Sequence, residues 1–416
     1  MKREFFIIFL ISTGFFIVQH AVHFSWDFSA YVLNGRYWFS HGWYFEVLRP
    51  PLAPFLLGIF NLVPFGEYIF IIFSSVLFAY STKKLSNSLG FDETIFYALS
   101  MSMSALIYGT FAGTELLSLS FLELFLSYVI NDNPLSGIFL GLGFLTRYVA
   151  ISFSVLLIFH KKIRKILESF GLFLATISPW LIYNEIHFGN PLMSIIDSIA
   201  LTIYFRGYLF QPINANHFFV EFNILIPFLV YGMYLSFKKF KKTDAMMAIF
   251  LLLSVTSYAR SPVKVARYLF YSIVPTAYYT YIALDRGHVK KAAYVFFAMG
   301  FVLASYFMAT DYNYSVYKKA FNTLEKMNMT NCWVISNGWV PLNYYGAHSI
   351  PYGKEFEGKN YSFVMFEGKN FTIKRGNCYN TREFVMLYSR VNENDYWKII
   401  FGDKIYSSIV NRFYQK

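Results

Sequence analysis

Residues 26–58 read WDFSAYVLNGRYWFSHGWYFEVLRPPLAPFLLG and follow a first apolar run that extends from Phe5 to Val22. The segment holds a carboxylate, Asp27, near its start and a guanidinium, Arg49, just before two prolines. It is too short to form a domain of its own. An acidic and a basic side chain at the same end of a hydrophobic run therefore indicate a site at a membrane surface.

The composition indicates an integral membrane protein. Of the 416 residues, 56% are hydrophobic, 22% aromatic and only 14% charged, whereas soluble domains carry about 25% charged residues. The net charge of +12 does not indicate a nucleic-acid partner, because the basic residues cluster beside alternate apolar runs. No Walker, Rossmann or zinc-type spacing occurs, which argues against a soluble nucleotide-dependent enzyme. No small-residue cleavage signal follows the first run, so we expect it to be a retained span.

The apolar runs predict a mainly α, polytopic helical bundle. A span needs about 20 apolar residues, and we expect about eleven spans, several of them short. They lie at 5–22, 67–82, 94–110, 115–130, 136–146, 148–160, 167–184, 218–236, 244–259, 268–284 and 292–309. The pair 136–146 and 148–160 predicts a broken helical hairpin that faces a cavity, with Arg147 at its tip.

Lysine and arginine residues divide unequally between the two predicted membrane sides. One side holds Lys2, Arg3, Lys83, Lys84, Lys161, Lys162, Arg164, Lys165, Lys238, Lys239, Lys241, Lys242, Arg286, Lys290 and Lys291. The other side holds only Arg36, Arg49, Arg147, Arg206, Arg260, Lys264 and Arg267 up to residue 310. Positive residues mark the cytoplasm. The amino terminus is therefore expected inside, and an odd number of spans places residues 311–416 outside.

Sequons and cysteines agree with an exported tail. The N-x-S/T triplets begin at Asn313, Asn328, Asn360 and Asn370, with none elsewhere in the chain. Both cysteines, Cys332 and Cys378, also lie in the tail. An exported compartment permits a disulfide between them, although two cysteines can equally remain free.

The tail has the pattern of strands and turns, because short β-branched and aromatic runs alternate with Gly, Asn and Lys. These runs are CWVISNGWVPLNYYG (332–346), YSFVMFEG (361–368), FTIKR (371–375), EFVMLYSRV (383–391) and YWKIIFG (396–402). We therefore expect a membrane domain over residues 1–310 and a small extracytoplasmic α/β or α+β domain over residues 311–416.

Asp27 is the first candidate site residue. Tyr31 follows four residues later, which places both side chains on one face if the segment is helical. The aromatic run from Tyr37 to Phe45 suits a helix that lies in the interface and holds Asp27 where a lipid phosphate meets water. A simpler interpretation stays open, in which Asp27 or Ser25 only caps the following helix.

Three isolated cations on the external side fit a phosphate group on an apolar tail. Two prolines restrict the backbone after Arg49, and a guanidinium matches phosphate oxygens well. Arg147 lies at the tip of the broken hairpin, and Arg267 with Tyr268 begins the tenth span on the same side. Interfacial anchoring would explain any one of these cations taken alone.

Two carboxylates near the fourth span are further candidates. Glu115 opens that span at the external face, where it would neutralise an arginine, orient an acceptor or ligate a divalent cation. Glu123, two turns deeper, is either functional or a partner in a helix–helix hydrogen bond. The external histidines lack metal-ligand spacing; they are His23, His41, His187 and His217.

Local patterns in this order resemble the GT-C glycosyltransferases of the dolichyl-phosphate-mannose protein mannosyltransferase and aminoarabinose transferase type. The first pattern is Asp27-x-x-x-Tyr31 leading to Arg49-Pro50-Pro51-Leu52-x-Pro54, and the second is Gly113-Thr114-Glu115. The third is Gly141-Leu142-Gly143-Phe144-Leu145-Thr146-Arg147. The last are Ser178-Pro179-Trp180-Leu181-Ile182-Tyr183-Asn184 followed by Phe188-Gly189-Asn190-Pro191, and Arg267-Tyr268 before Pro275. The resemblance covers about residues 1–290 and leaves the tail outside.

The resemblance implies an inverting transfer of a sugar from a polyprenyl-phosphate donor, dolichyl phosphate among them, to a lipid, glycan or protein acceptor. Asp27 would be the general base. The implied substrate-binding residues are Tyr31, Arg49, Glu115, Arg147, Arg267 and Tyr268. Many relatives carry acidic residues where this chain has Phe28 and Leu48, which argues against a metal site built from those positions.

Two other classes of protein compete with this interpretation. A lipid or glycolipid transporter or flippase is expected to show inverted repeats and broken helices near the midplane, whereas this chain has no clear repeat and its polar groups crowd toward the outer face. The second alternative is a membrane-anchored assembly protein that works through its tail. Such a protein would not need Asp27 and the three arginines, so their presence argues mildly against it. The sequence favours a glycosyltransferase of the cell membrane with an external site.

Overall fold

Helices account for most of the computed structural model, which describes residues 2–23, 25–199, 211–284, 289–311, 315–351, 360–379 and 386–388. The helices are α1 (Arg3–Val22), α2 (Trp26–Phe39), α3 (Leu52–Phe60), α4 (Gly66–Leu89), α5 (Glu93–Ser100), α6 (Met103–Tyr108), α7 (Glu115–Ile130), α8 (Ser136–Thr146), α9 (Ile163–Phe188), α10 (Met193–Ile199), α11 (Ala215–Phe222), α12 (Ile226–Lys238), α13 (Lys242–Arg260), α14 (Ile273–Ala283), α15 (Val289–Asp311), α16 (Ser315–Lys326) and α17 (Trp339–Tyr345). Shorter 3₁₀ segments cover Tyr148–Phe159, Asn223–Leu225 and Ala266–Ser272. The strands are β1 (Tyr44–Glu46), β2 (Trp333–Ser336), β3 (His348–Pro351), β4 (Ser362–Glu367), β5 (Asn370–Lys374) and β6 (Met386–Tyr388). Arg206, Arg286, the sequon at Asn313 and the run 396–402 lie outside the described residues.

The protein is a multi-pass membrane protein. In the described part of the chain, five helical stretches are long and apolar enough to cross a membrane: Arg3–Val22, Gly66–Leu89, Ile163–Phe188, Ala215–Lys238 and Lys290–Thr310. The mainly α-helical class agrees with the prediction. The total of eleven spans stays a prediction.

The stretch 94–110, predicted as one span, is divided into two short helices, and whether it crosses the membrane stays a prediction. α5 ends at Ser100, and α6 starts again after Ser102, whose hydroxyl accepts a hydrogen bond from the amide of Ala105. A serine side chain competes for backbone amides in this way and favours a helix start over a continuous helix.

The short apolar runs predict a broken helical hairpin, and the structure has the break at Arg147. α8 stops at Thr146, and Arg147 has an extended backbone with φ −151° and ψ 118°. The next 12 residues, Tyr148–Phe159, form a 3₁₀ helix and not a second α-helix. Runs of 3₁₀ helix of this length are uncommon and often mark a functional or strained segment.

The aromatic run from Tyr37 to Phe45 does not form the single interfacial helix that was expected. α2 ends at Phe39, and His41 adopts a left-handed backbone with φ 54°. The chain then enters β1, which pairs in parallel with β6 so that Phe45 lies opposite Leu387. A strand partner more than 300 residues away in sequence thus overrides the local pattern.

α2 packs against α3 at a glycine. A Cβ atom at Gly35 would lie only 2.7 Å from the carbonyl oxygen of Pro54 and 2.8 Å from the backbone nitrogen of Gly58. Backbone atoms cannot move aside cheaply in a close-packed contact. Because Asp27 lies on α2 and Arg49 immediately precedes α3, this contact sets how far apart the two side chains can be.

The described tail contains a four-stranded sheet in the order β3–β2–β4–β5. β2 pairs in parallel with β3 and β4, and β4 pairs with β5 in antiparallel register, with Val364 opposite Ile373. Val364 also contributes to a small apolar core with Val334. Cys332 and Cys378 form a disulfide, so of the two alternatives left open by the sequence the structure has the paired one. The domain boundary at residue 310 stays a prediction.

The tail packs directly on the start of α2, which carries Asp27, and on the loop between α2 and α3, which carries Arg49. The rings of Trp26 and Trp339 meet edge to face with centroids 4.6 Å apart. Trp43 stacks on His348 with centroids 4.2 Å apart. The tail and this loop therefore lie at the same end of the helical bundle.

We expect Gly35→Ala to lower the melting temperature by several degrees, because the added methyl group meets backbone on α3 and overpacking costs about 1–3 kcal/mol. Gly14→Ala is the matched control, since a Cβ at Gly14 meets nothing within 4 Å. It should leave the melting temperature unchanged or raise it, because Ala favours a helix over Gly. Thermal unfolding in detergent measures both; equal shifts in the two variants would contradict the packing argument.

Candidate active site

The amino-terminal end of α2 presents Asp27 to the protein interior. Ser25 is the residue that caps this helix, since its hydroxyl accepts a hydrogen bond from the amide of Phe28 at 3.1 Å. Of the two capping residues that the sequence left open, the structure therefore uses Ser25. The Asp27 carboxylate makes other contacts.

Two guanidinium groups hold the two oxygens of Asp27. Arg49 donates from Nη1 to Oδ1 at 2.7 Å, and Arg267 donates from Nη2 to Oδ2 at 2.5 Å. These arginines lie 22 and 240 residues along the chain from Asp27. The loop before α3 and the 3₁₀ segment before α14 thus converge on one carboxylate.

Glu115 and Arg147 extend this contact into a row of alternating charges. Arg147 donates from Nη1 to Oε1 of Glu115, and Arg267 Nη1 lies 3.8 Å from the same oxygen. Glu115 begins α7 directly after Gly113 and Thr114, where Gly113 has φ +87° and a Cβ atom would lie 2.7 Å from the Phe28 ring. The turn that presents Glu115 therefore requires glycine at this position.

Glu46 is a member of the cluster that the sequence analysis did not identify. Its Oε2 accepts from Arg49 Nε at 2.6 Å, and its Oε1 accepts from the Tyr44 hydroxyl at 2.6 Å. The Asn34 side chain holds the backbone of Glu46 through two hydrogen bonds of 2.9 and 2.8 Å. Leu48, directly before the Arg-Pro-Pro motif, is apolar; the acidic partner of Arg49 lies two residues further upstream, because the turn after β1 brings residue 46 beside residue 49.

Aromatic rings cover the guanidinium groups. Arg49 Cζ lies 5.2 Å from the ring centre of Tyr31, and Arg267 Cζ lies 5.7 Å from that of Tyr268. Arg147 Cζ lies 6.0 Å from the ring of Tyr271, which the sequence did not single out. Such rings stabilise a cation and restrict its contact with water.

Seven of the sequence-predicted candidates lie in this one cluster: Asp27, Tyr31, Arg49, Glu115, Arg147, Arg267 and Tyr268. Their roles in catalysis and binding stay predictions. Glu123 lies outside the cluster, deep in the bundle, where its carboxylate accepts from Ser81 and Thr82 at 2.5 and 2.8 Å. Within the described ranges, no group of three or more His, Cys, Asp and Glu residues is arranged to hold a metal ion.

The cluster keeps Asp27 ionised. Burial alone would raise the pKa of this carboxyl, but the charges of Arg267 and Arg49 and their hydrogen bonds hold the pKa well below its usual range. α2 is not among the five described stretches that are long and apolar enough to cross a membrane. The three carboxylates differ in exposure, since the Asp27 side chain is 21% exposed whereas Glu46 is 3% and Glu115 1% exposed. Asp27 is therefore the carboxylate that an entering ligand would reach.

A separate cleft of about 800 Å³ lies beside the opposite face of α2. It is lined by α1, the start of α4 and the tail, with Arg36, Glu67, Lys318 and Tyr344 among its residues. Arg36 is nine residues from Asp27, two and a half helical turns, so the two side chains leave α2 on opposite sides. The cleft and the Asp27 cluster are thus distinct places in the fold.

Fold and cluster together define a polytopic helical membrane protein with a semi-buried site of alternating carboxylates and guanidinium groups. No protein-family model matches the sequence, and no curated protein matches it. The structure is similar to the crystal structure of ArnT from Cupriavidus metallidurans bound to undecaprenyl phosphate, with a TM-score of 0.63 and 11% sequence identity over 86% of this chain and 92% of that chain. The chain thus has an ArnT-like fold, which agrees with the fold that the resemblance of its motifs implied.

The depressed pKa of Asp27 has a consequence for stability. Stabilisation from a carboxyl with a depressed pKa is complete above the unfolded value, about 3.9, and is lost as the pH falls through the folded value. We expect Asp27→Asn to melt below the wild type, because two guanidinium groups lose their carboxylate. The difference in melting temperature should stay constant from pH 8 to pH 5 and narrow only below about pH 4.

Glu168→Gln is the control for this experiment, since Glu168 pairs with Arg164 on the exposed surface of α9. Exposed pairs contribute little, so this variant should follow the wild-type melting temperature closely. A difference between the wild type and Asp27→Asn that stays constant or widens below pH 4 would show that the pKa of Asp27 is not depressed in the folded protein.

Proposed function

We propose that the protein is a membrane glycosyltransferase that moves a sugar from a polyprenyl-phosphate donor to an acceptor at the extracytoplasmic face. The observation that carries this proposal is the Asp27 carboxylate, which two guanidinium groups, those of Arg49 and Arg267, hold at the end of a GT-C-like helical bundle where the tail packs. The similar ArnT structure is bound to undecaprenyl phosphate, which supports a lipid phosphate as the shared ligand chemistry.

The arginines provide the donor site. A planar guanidinium binds phosphate oxygens with two parallel hydrogen bonds. Glu46 and Glu115 are almost fully buried, so we infer that they stay paired with Arg49 and Arg147 and orient them. Asp27 is more exposed, and a phosphate would replace its oxygens on Arg49 and Arg267.

This replacement would prepare Asp27 for catalysis. Once the guanidinium groups pair with phosphate, they no longer neutralise the carboxylate, and its pKa rises toward the ordinary range. Asp27 then accepts the proton of an acceptor hydroxyl as that oxygen bonds to the sugar carbon, and the bond from that carbon to the phosphate oxygen breaks. Attack opposite the leaving phosphate inverts the carbon. The arginines stabilise the charge that develops on the polyprenyl phosphate.

The outward orientation of the site has two supports. Basic residues cluster on the predicted cytoplasmic side, which leaves the loop of Asp27 outside. The tail that packs on this loop contains the Cys332–Cys378 disulfide, and disulfides persist in oxidising, extracytoplasmic compartments. The site is therefore proposed to face the outside of the cell membrane.

We expect Asp27→Asn to reduce sugar transfer from polyprenyl-phosphate donors at least 10³-fold, because both the general base and the orientation of two arginines are lost. Transfer by purified protein in nanodiscs, with labelled donors, measures this. Glu168→Gln should retain activity within about twofold, because Glu168 lies outside the cluster and pairs with Arg164 and Lys165 near the start of α9. Wild-type turnover in Asp27→Asn would exclude it as the base.

The same labelled donors, offered to the protein in sealed proteoliposomes, separate the transporter alternative. Movement of the lipid-linked sugar across the bilayer with no cleavage of its phosphate bond would support a flippase and contradict the transferase. Transfer of the sugar with release of polyprenyl phosphate supports the proposed function.

We expect Arg267→Lys to lower kcat/KM for the donor about 10- to 100-fold, although the charge is kept. A lysine is a point charge and cannot bind two phosphate oxygens in one plane as the guanidinium does. Arg164→Lys, an exposed arginine on α9, is the matched control and should have no effect. An unaltered donor KM and kcat in Arg267→Lys would remove Arg267 from the donor site.

A further inference from the structure

A chain of hydrogen bonds connects the tail with the carboxylate of Asp27. Trp339 Nε1 donates to the Tyr44 hydroxyl at 3.1 Å, and this hydroxyl donates to Glu46 Oε1 at 2.6 Å. Arg49 then donates from Nε to Glu46 Oε2 at 2.6 Å and from Nη1 to Asp27 Oδ1 at 2.7 Å. We call this series the Trp339–Asp27 chain.

At the tail end of the Trp339–Asp27 chain, the hydrogen bonds can be donated in only one direction. An indole nitrogen is a donor only, so the Tyr44 oxygen accepts from Trp339 and its own hydrogen is directed to Glu46. Burial and the neighbouring Glu46 carboxylate raise the pKa of Tyr44 well above its usual value, which keeps the hydroxyl a donor. Tyr44 is 1% and Glu46 2% exposed, so water cannot readily replace either partner.

The two contacts of Arg49 explain why the chain matters for the site. The guanidinium is planar, so a contact at Nε determines the plane in which the Nη atoms lie. Glu46 accepts a hydrogen bond from Nε of Arg49, and this contact directs Nη1 of Arg49 toward Asp27. A buried acceptor that loses one donor costs free energy, so the Tyr44 hydrogen bond helps to hold Glu46 in its position.

Trp339 is itself held firmly. Its ring meets Trp26 edge to face at 4.6 Å on the helix that carries Asp27. β1, which contains Tyr44 and Glu46, pairs with β6 of the tail. The tail therefore makes two further contacts along the Trp339–Asp27 chain, one with Trp26 beside Asp27 and one with the strand that holds Tyr44 and Glu46.

We propose that the tail is a positioning element of the active site, in which Trp339, through Tyr44 and Glu46, orients the Arg49 guanidinium toward Asp27 and the donor phosphate. This inference rests on the proposed function. Trp339 and Tyr44 touch neither Asp27 nor the reacting atoms, so they are positioning residues. The tail, in which the sequence shows no catalytic constellation, thereby contributes to turnover.

The test is a double-mutant cycle on Trp339→Phe and Tyr44→Phe. Each change keeps an aromatic ring and removes one hydrogen-bonding group, and each should lower kcat/KM about 5- to 10-fold. Because both act through one chain, the double variant should be no worse than Tyr44→Phe alone, whereas independent structural effects would multiply. Trp43→Phe is the matched control: it also lies between loop and tail, stacked on His348, but outside the chain. It should stay within about twofold of wild type.

Hydrogen exchange of residues 44–49 provides a readout that needs no activity. Exchange should accelerate in Trp339→Phe and Tyr44→Phe and remain near wild type in Trp43→Phe. Multiplying effects in the cycle, or equal behaviour of Trp339→Phe and Trp43→Phe in both measurements, would overturn the positioning role. A wild-type protein that transfers no sugar would contradict the proposed function instead, and the exchange data would still decide whether Trp339 holds the Arg49 loop.

Discussion

The pairing of Asp27 with Arg49 and Arg267 is the constraint on which the rest of this end of the bundle depends. A charge removed from water is costly unless it is paired and hydrogen-bonded. Because the partners come from the loop before α3 and from the 3₁₀ segment before α14, both must approach α2 closely. The Gly35 contact between α2 and α3 and the turn at Gly113 permit this approach.

Glu46 and Glu115 make the cluster neutral in sum, with three carboxylates and three guanidinium groups. This neutrality stabilises the site in the absence of a ligand. Asp27 is the most exposed of the three carboxylates, so it is the group that an entering anion would displace. Under the proposed function, binding of a phosphate and activation of Asp27 would be one event, since the same arginines would serve both anions. The hydrogen-bonded tail completes this arrangement from outside the bundle, at the face where a lipid headgroup would arrive.

The predicted site residues were recognisable because charged side chains are rare beside apolar spans and costly there without a function. The sequence did not predict Glu46, Tyr44 and Tyr271 as site residues for a physical reason. Their contacts with the site form across turns and between helices, and residue spacing does not encode such contacts. The aromatic run after Tyr37 illustrates the same point, because its pairing with β6 replaced the helix that its composition favoured. The break between α5 and α6 depended on a single serine cap, a signal too local to outweigh apolar composition.

Amino-acid composition and charge pattern were enough to predict a protein that crosses the membrane several times, and to predict which acidic and basic residues form its site. Hydrophobicity and charge are properties of single residues, so they can be read directly from the order of residues. The folded structure was needed to show that one carboxylate meets two guanidinium groups, that Glu46 and Tyr44 hold the first of them, and that the tail packs on this loop. Those contacts join segments tens to hundreds of residues apart, and their geometry exists only after the helices and strands have packed.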